Sequence, residues 1–274
     1  MKIYNGKTAY ITGGSSGIGL AIAKRLSALG AHVAIFARRK ELLVKAAGEI
    51  EGARKSPSQR IAFYQMDVSD EKDVRKATRR AVDELGAPDI LVNSAGVAHC
   101  DRFENTTAAH FDRVLKIDLY GPWNVISALL PAMKGKTGRH IVNVSSIAGL
   151  IGVFGYTAYS AAKFGLIGFS ESLRGELKPQ GINVSVLCPP DTDTPQLAEE
   201  NKTKPEETRA IAGNAGLYQP EDVAEALLKA LLKKKFIIIP GMDGKFSVLM
   251  KRLLPGLVEF VMDSTIQKVQ KKKS

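Results

Sequence analysis

Residues 8–29 read TAYITGGSSGIGLAIAKRLSAL: a short apolar, β-branched run over Thr8 to Ile11, a glycine-rich turn from Thr12 to Gly19, and a helical stretch from Ile18 to Leu29. Glycines at such a strand-to-helix turn permit a tight bend and let main-chain N–H groups approach a pyrophosphate. Gly13, Ser15, Ser16, Gly17, Ile18 and Gly19 are therefore candidate cofactor-binding residues. A plain β-to-α turn also uses glycine, so the turn gains its meaning from the rest of the chain.

Beyond it, strands and helices alternate regularly. Val33 to Phe36 reads as a second strand and Glu41 to Ile50 as a second helix. Further strands are predicted at Ile61 to Gln65, Ile90 to Val92, Ile141 to Val144, Val184 to Leu187 and Phe236 to Ile239, each separated by a helix-length segment. Seven strands in βαβ order predict an α/β fold, a Rossmann-type doubly wound parallel sheet with helices on both faces. Ligands then bind at the carboxyl ends of the strands. The expected organisation is a nucleotide-binding domain over residues 1–240, with a lid at about 190–218, and an amphipathic basic tail over 241–274.

The strand ends carry polar and small residues suited to a nucleotide. After the second strand come Arg38, Arg39 and Lys40, where an NAD-binding fold usually offers a carboxylate to the ribose hydroxyls. Cations there predict a 2′-phosphate, hence NADPH, the alternative being a solvated helix entry. Asp67 and Val68 close the third strand, with Asp67 placed to accept from an adenine amino group; Asp70 is the better cap for the next helix. Asn93, Ala95 and Gly96 end the fourth strand with residues small enough to admit adenosine.

Tyr159 and Lys163 are four apart, so on a helix they project from one face about one turn from each other. A neighbouring ammonium favours the phenolate and lowers a phenol's pKa. Ser146 lies thirteen residues before Tyr159.

With these motifs in order, the chain resembles the short-chain dehydrogenase/reductase superfamily over about residues 5 to 240. The run Pro189-Pro190-Asp191-Thr192-Asp193-Thr194-Pro195 and the segment up to Arg209 resemble the 3-ketodihydrosphingosine reductase branch, most superfamily members carrying Pro-Gly after this strand. The resemblance implies that NADPH delivers hydride to a ketone while Tyr159 donates a proton to the carbonyl oxygen and Ser146 holds it. It also implies that Lys163 binds the nicotinamide ribose and that Pro189, Thr192 and Thr194 contact the nicotinamide end. Where the family has an asparagine that orders a water near the lysine, this chain has Asp118. A carboxylate there would partly cancel the pull of Lys163 on Tyr159.

The implied substrate is a long-chain ketone lipid, the 3-keto precursor of a sphingoid base. A 3-oxoacyl-thioester reductase and a non-catalytic NADP(H)-sensing protein are the competing readings. The net charge is +11, and from Lys229 onward eleven Lys or Arg face three Asp or Glu. In the tail, Phe246, Leu249, Met250, Leu253, Leu254, Leu257, Val258 and Val261 lay one apolar stripe along a helix that Pro255 kinks. Docking on the core, subunit packing and binding to a membrane surface all fit it, the last aided by Lys268 and Lys271 to Lys273. Four scattered histidines and two separated cysteines predict no metal site and no disulfide. The chain enters its first strand at once without a charged-then-apolar leader. The expectation is a cytoplasmic homodimer or homotetramer, peripheral to a membrane face if the tail binds one, with no nucleic-acid partner.

Overall fold

The computed structural model describes residues 2–213 and 216–272. Seven strands, β1 (Thr8–Thr12), β2 (His32–Ala37), β3 (Ile61–Gln65), β4 (Ile90–Asn93), β5 (Arg139–Val144), β6 (Ile182–Leu187) and β7 (Ile237–Ile238), form one sheet in the order β3-β2-β1-β4-β5-β6-β7. Every pairing is parallel. The predicted seven-stranded Rossmann-type sheet is thus present, and its strand order reverses between β1 and β4, which opens the ligand crevice at their carboxyl ends.

Each strand feeds two cores because its side chains alternate. Ala9, Ile11, Val33 and Ile35 pack beneath α1 (Gly17–Ala28), α2 (Lys40–Gly52) and α9 (Pro220–Leu232). Tyr10, Ala34 and Phe36 point the other way, under α3 (Glu71–Leu85), α5 (Gly121–Met133) and α6 (Thr157–Leu177). Burial on both faces explains why the strands read as nearly continuous apolar runs.

Two strand starts differ from the sequence prediction by more than one residue. β5 begins at Arg139 and β6 at Ile182, each two residues early. Arg139 and His140 are polar yet buried, and His140 Nε2 lies 2.7 Å from Ser185 Oγ, so the missing apolar signal is replaced by a buried polar pair. The edge strand β7 is only two residues long.

The helix before β5 is interrupted. α4 (Ala108–Leu115) runs into one π turn, Lys116–Tyr120, which turns Ile117 and Asp118 into the interior before α5 continues. Such bulges concentrate at functional sites. Gly121 comes next, where a Cβ would stand 2.8 Å from Val68 Cγ2, so α5 can approach the end of β3.

After β6 the chain makes a flap of two helices, α7 (Pro195–Thr203) and α8 (Glu206–Ala212). The flap's ends are tied together by Tyr218 N donating to Asp191 O and Asp193 N donating to Tyr218 O. The expected single kinked tail helix is instead two helices, α10 (Asp243–Leu253) and α11 (Pro255–Lys271), with the break at Leu254. Pro255 takes the first helical position, where its missing N–H costs nothing. Lys251 and Glu259 close the corner with a 2.7 Å ion pair. α11 packs on α8 of the flap, and Lys273 lies outside the described residues.

Candidate active site

The glycine turn is built for close approach. At Gly13, with φ of +67°, a Cβ would stand 2.7 Å from Ala95 N and from Ser94 O, across the switch point. At Gly19 it would stand 2.4 Å from Gly13 O. Thr12 Oγ1 accepts from the N–H groups of Ser94 and Ala95, which pins the two strand ends together. Ser16 caps α1 with no side-chain bond and the first turn has no acid, so the helix-end N–H groups and their positive field are left for an anion. Ser15, Gly17 and Ile18 are partly accessible along the same edge. The residues fit a dinucleotide pyrophosphate.

At the adenine end, Arg38 and Arg39 are exposed beyond β2, and Arg38 Nη1 lies 3.9 Å from Asp67 Oδ2. Asp70 caps α3 through Lys72 N and Asp73 N. Asp67 is no helix cap, but it is not idle, because its Oδ1 accepts from Ser69 N and Ser69 Oγ. Val68 is buried and accepts at its carbonyl from Asn124. Asn93 Nδ2 donates to Asn143 Oδ1 at 2.8 Å, and Asn143 Nδ2 donates to Ser170 Oγ at 2.8 Å. That buried polar chain holds β4, β5 and α6 together.

Ser146 lies just past β5 and caps a short 3-10 turn, Ile147–Gly149, accepting from Ala148 N. Tyr159 and Lys163 stand on the first turns of α6, both buried. Lys163 Nζ donates to Val144 O at 3.0 Å and pairs with Asp118 Oδ2 at 2.8 Å, while Asp118 Oδ1 accepts from Val97 N at 2.9 Å. The Asp118 carboxylate therefore meets the lysine directly. Burial pushes its pKa up, with the Lys163 ammonium and the Val97 N–H pulling against that rise. A Cβ on Gly96 would stand 3.1 Å from Asp118 Oδ2 and 3.6 Å from Lys163 Nζ, so a larger residue there would crowd the pair.

Burial holds the pKa of the Tyr159 phenol well above the usual phenol value, and Glu200 and Asp118 add to the rise, while Ser146 and Gln196, facing the hydroxyl, oppose it. The lysine lies 5.3 Å from the centre of the tyrosine ring with its charge already answered by Asp118. The phenol in this pocket is a protonated acid.

Gln196, Glu200 and Tyr156 were not singled out as site residues in the sequence, although Gln196 and Glu200 sit four apart within the flap segment. Thr194 caps α7 by accepting from Leu197 N, and its Cγ2 is what a Cβ on Gly17 would meet at 3.0 Å. Thr192 Oγ1 donates to Pro190 O, and Pro189 O accepts from Ile147 N, which ties the flap's base to the turn after Ser146. So anchored, α7 lays Gln196 against the Tyr159 hydroxyl and Glu200 against Tyr156, whose Oη donates to Glu200 Oε2 at 2.6 Å. An ion pair between Arg102 and Glu207 fastens α8 to the segment after β4. The histidines are less scattered than they read, since His99 and His110 stack with ring centres 4.0 Å apart.

The family model described as short chain dehydrogenase matches residues 7–205. The chain is 41% identical over 241 residues to the 3-dehydrosphinganine reductase of Danio rerio, covering 88% of this chain and 73% of that protein. It is 40% identical over 240 residues to the 3-ketodihydrosphingosine reductase of Mus musculus, covering 87% and 72%. Among solved structures, a short chain dehydrogenase/reductase from Burkholderia phymatum in complex with NAD superposes with a TM-score of 0.81 at 23% identity, covering 93% of this chain and 95% of that one.

Proposed function

Because the chain belongs to the short chain dehydrogenase family, an oxidoreductase family that uses a nicotinamide cofactor, we propose that it reduces the 3-keto group of 3-ketodihydrosphingosine to the alcohol with NADPH. The observation that carries this reading is that Ser146, Tyr159 and Lys163 converge beneath the flap that follows β6. Bound along the glycine turn, the cofactor would supply the hydride. Tyr159, protonated and buried, gives its proton to the carbonyl oxygen as that oxygen gains charge. Ser146 donates a hydrogen bond to the same oxygen and steadies it. Lys163, aimed by Val144 and Asp118, would hold the cofactor's ribose.

NADPH over NADH is supported by the two cations, Arg38 and Arg39, just past the end of β2, the place where an NAD-binding fold usually offers a carboxylate. One assay addresses substrate and cofactor together: oxidation of NADPH and of NADH with 3-ketodihydrosphingosine and with 3-oxoacyl thioesters, for the wild type and Arg38→Asp. We expect turnover of the sphingoid ketone, preference for NADPH, and a fall of at least roughly tenfold in the NADPH-to-NADH ratio in the variant, the scale of one charge-assisted phosphate contact. Preference for the thioester would mark a fatty-acid-type reductase. Consumption of neither would mark a binding protein. An unchanged cofactor ratio would remove Arg38 from the phosphate site.

The tail supports a peripheral membrane contact. Among the described residues no helix is long and apolar enough to cross a membrane. Met242, Phe246, Leu253, Leu254, Leu257 and Phe260 are all about half exposed or more, on two helices that pack beside the flap and carry Lys245, Arg252 and Lys268. An apolar face rimmed by cations suits the surface of an anionic bilayer, the natural reservoir of a long-chain ketone. On a different side, Phe111, Tyr120, Trp123 and Phe164 leave an aromatic patch on α4, α5, α6 and the π turn that suits a homodimer or homotetramer. Sedimentation tests both: alone, the protein should run as two or four chains, and with anionic but not neutral vesicles it should pellet. A monomer, or indifference to vesicle charge, would sink the corresponding assignment.

A further inference from the structure

Glu200 is a carboxylate turned inward beside the reacting hydroxyl, and no described cation comes within ion-pair distance of it. Its two oxygens are held by neutral donors, Oε2 by Tyr156 Oη at 2.6 Å and Oε1 by Gln196 Nε2 at 2.9 Å. The nearby Lys204 ammonium is buried but pairs with Asp191 at 3.7 Å and lies over the Tyr156 ring. Tyr156 in turn packs its ring 5.5 Å from that of Tyr159. Glu200 is partly buried, and a carboxylate partly withdrawn from water without an ion-pair partner is a costly arrangement, tolerated where a partner arrives with the ligand. Burial pushes its pKa up, with Tyr156, Gln196 and Lys204 opposing.

The placement matches the chemistry of the substrate proposed above. In 3-ketodihydrosphingosine the amino-bearing carbon is bonded directly to the ketone carbon, so with the carbonyl oxygen between Ser146 and Tyr159 the ammonium lies one carbon away. Gln196 spans that interval here, facing the Tyr159 hydroxyl and donating to Glu200. We propose that Glu200, held in place by Tyr156 and Gln196, receives the substrate's ammonium group and so selects 2-amino ketones. This rests on the sphingoid-base reading and adds a mechanism of exclusion to it. A 3-oxoacyl thioester brings no cation to this position and would leave the partly buried carboxylate with neutral donors alone, which is discrimination by an unmet charge as well as by a favourable pair.

The test compares 3-ketodihydrosphingosine with the ketone of equal chain length that lacks nitrogen, in the wild type and Glu200→Gln. The wild type should favour the amine, and the variant should shrink that preference by about thirtyfold, mostly through KM, the scale of losing one member of a desolvated charge pair. An equal loss on both ketones would make Glu200 a flap-packing residue and overturn the proposal, as would a wild type indifferent to the amine. Inhibition of the wild type by dihydrosphingosine and by its N-acetyl derivative needs no variant: the free amine should bind at least tenfold tighter, and equal inhibition overturns the proposal. Turnover of thioesters in place of either ketone overturns the sphingoid-base reading itself, whereas the variant's selectivity bears on Glu200 alone.

Discussion

Tyr159→Phe is expected to lower kcat for ketone reduction by about 10²- to 10⁴-fold, the usual worth of a positioned general acid, while leaving the fold and cofactor binding in place. The ring supplies the packing: it is buried against Tyr156, Ala158 and Ala162, and phenylalanine keeps that contact. What is removed is the hydroxyl facing Ser146 and Gln196, the one group here able to hand a proton to a carbonyl oxygen. The structure also sets the sign of the pH dependence. Reduction needs the protonated phenol, and burial raises its pKa, so the wild-type rate should be level through neutral pH and fall only as alkali ionises the hydroxyl. The reverse oxidation, which needs the phenolate, should instead climb as pH rises. Steady-state rates in both directions, with cofactor titration of the variant, check this. A Phe variant within tenfold of wild type, or a reduction rate that increases toward high pH, would remove Tyr159 as the acid.

The parts of this site that were legible in the sequence are those carried by local spacing. The turn from Thr12 to Gly19 is contiguous, Tyr159 and Lys163 share a helix face, and Ser146 ends a strand whose apolar pattern marks where it stops. β-branched runs with two buried faces made the sheet readable as well. What the sequence hid depends on long-range placement. The bond from Asn93 to Asn143 follows only from the register of β4 beside β5, which sets the two opposite each other. Arg139 and His140 broke the apolar pattern although both are buried. Gln196 and Glu200 gain meaning only when the flap folds back over α6, thirty-seven residues or more from Tyr159 along the chain. The pairing of Lys163 was hidden for a similar reason: the lysine lies one turn from Tyr159, but its charge is answered by Asp118, which the π turn delivers from another helix.

That pairing yields the second large effect. Lys163→Met should abolish turnover and also destabilise the protein by about 3–5 kcal/mol, because removing one member of a buried pair leaves the other uncompensated. Asp118 is wholly buried, and Met keeps most of the lysine's apolar stem, so charge and not volume is what changes. At this chain length the loss corresponds to a fall of roughly 10 °C in Tm. Adding Asp118→Asn to Lys163→Met should return most of the stability, since a neutral amide can still accept from Val97 N, but none of the activity, since nothing is left to hold the ribose. Acid should mimic that rescue. In the single variant the buried carboxyl has a pKa raised above its unfolded value, so the folded state binds its proton more tightly, and the destabilisation felt at neutral pH should fade as pH falls toward the ordinary carboxylate range. Thermal unfolding of the wild type, the single variant and the double variant at neutral and mildly acid pH separates the two roles of Lys163. A single variant within about 1 kcal/mol of wild type at neutral pH, well below the usual cost of an orphaned buried charge, would mean that water or a shifted side chain answers Asp118, and the lysine's part would then be confined to the cofactor.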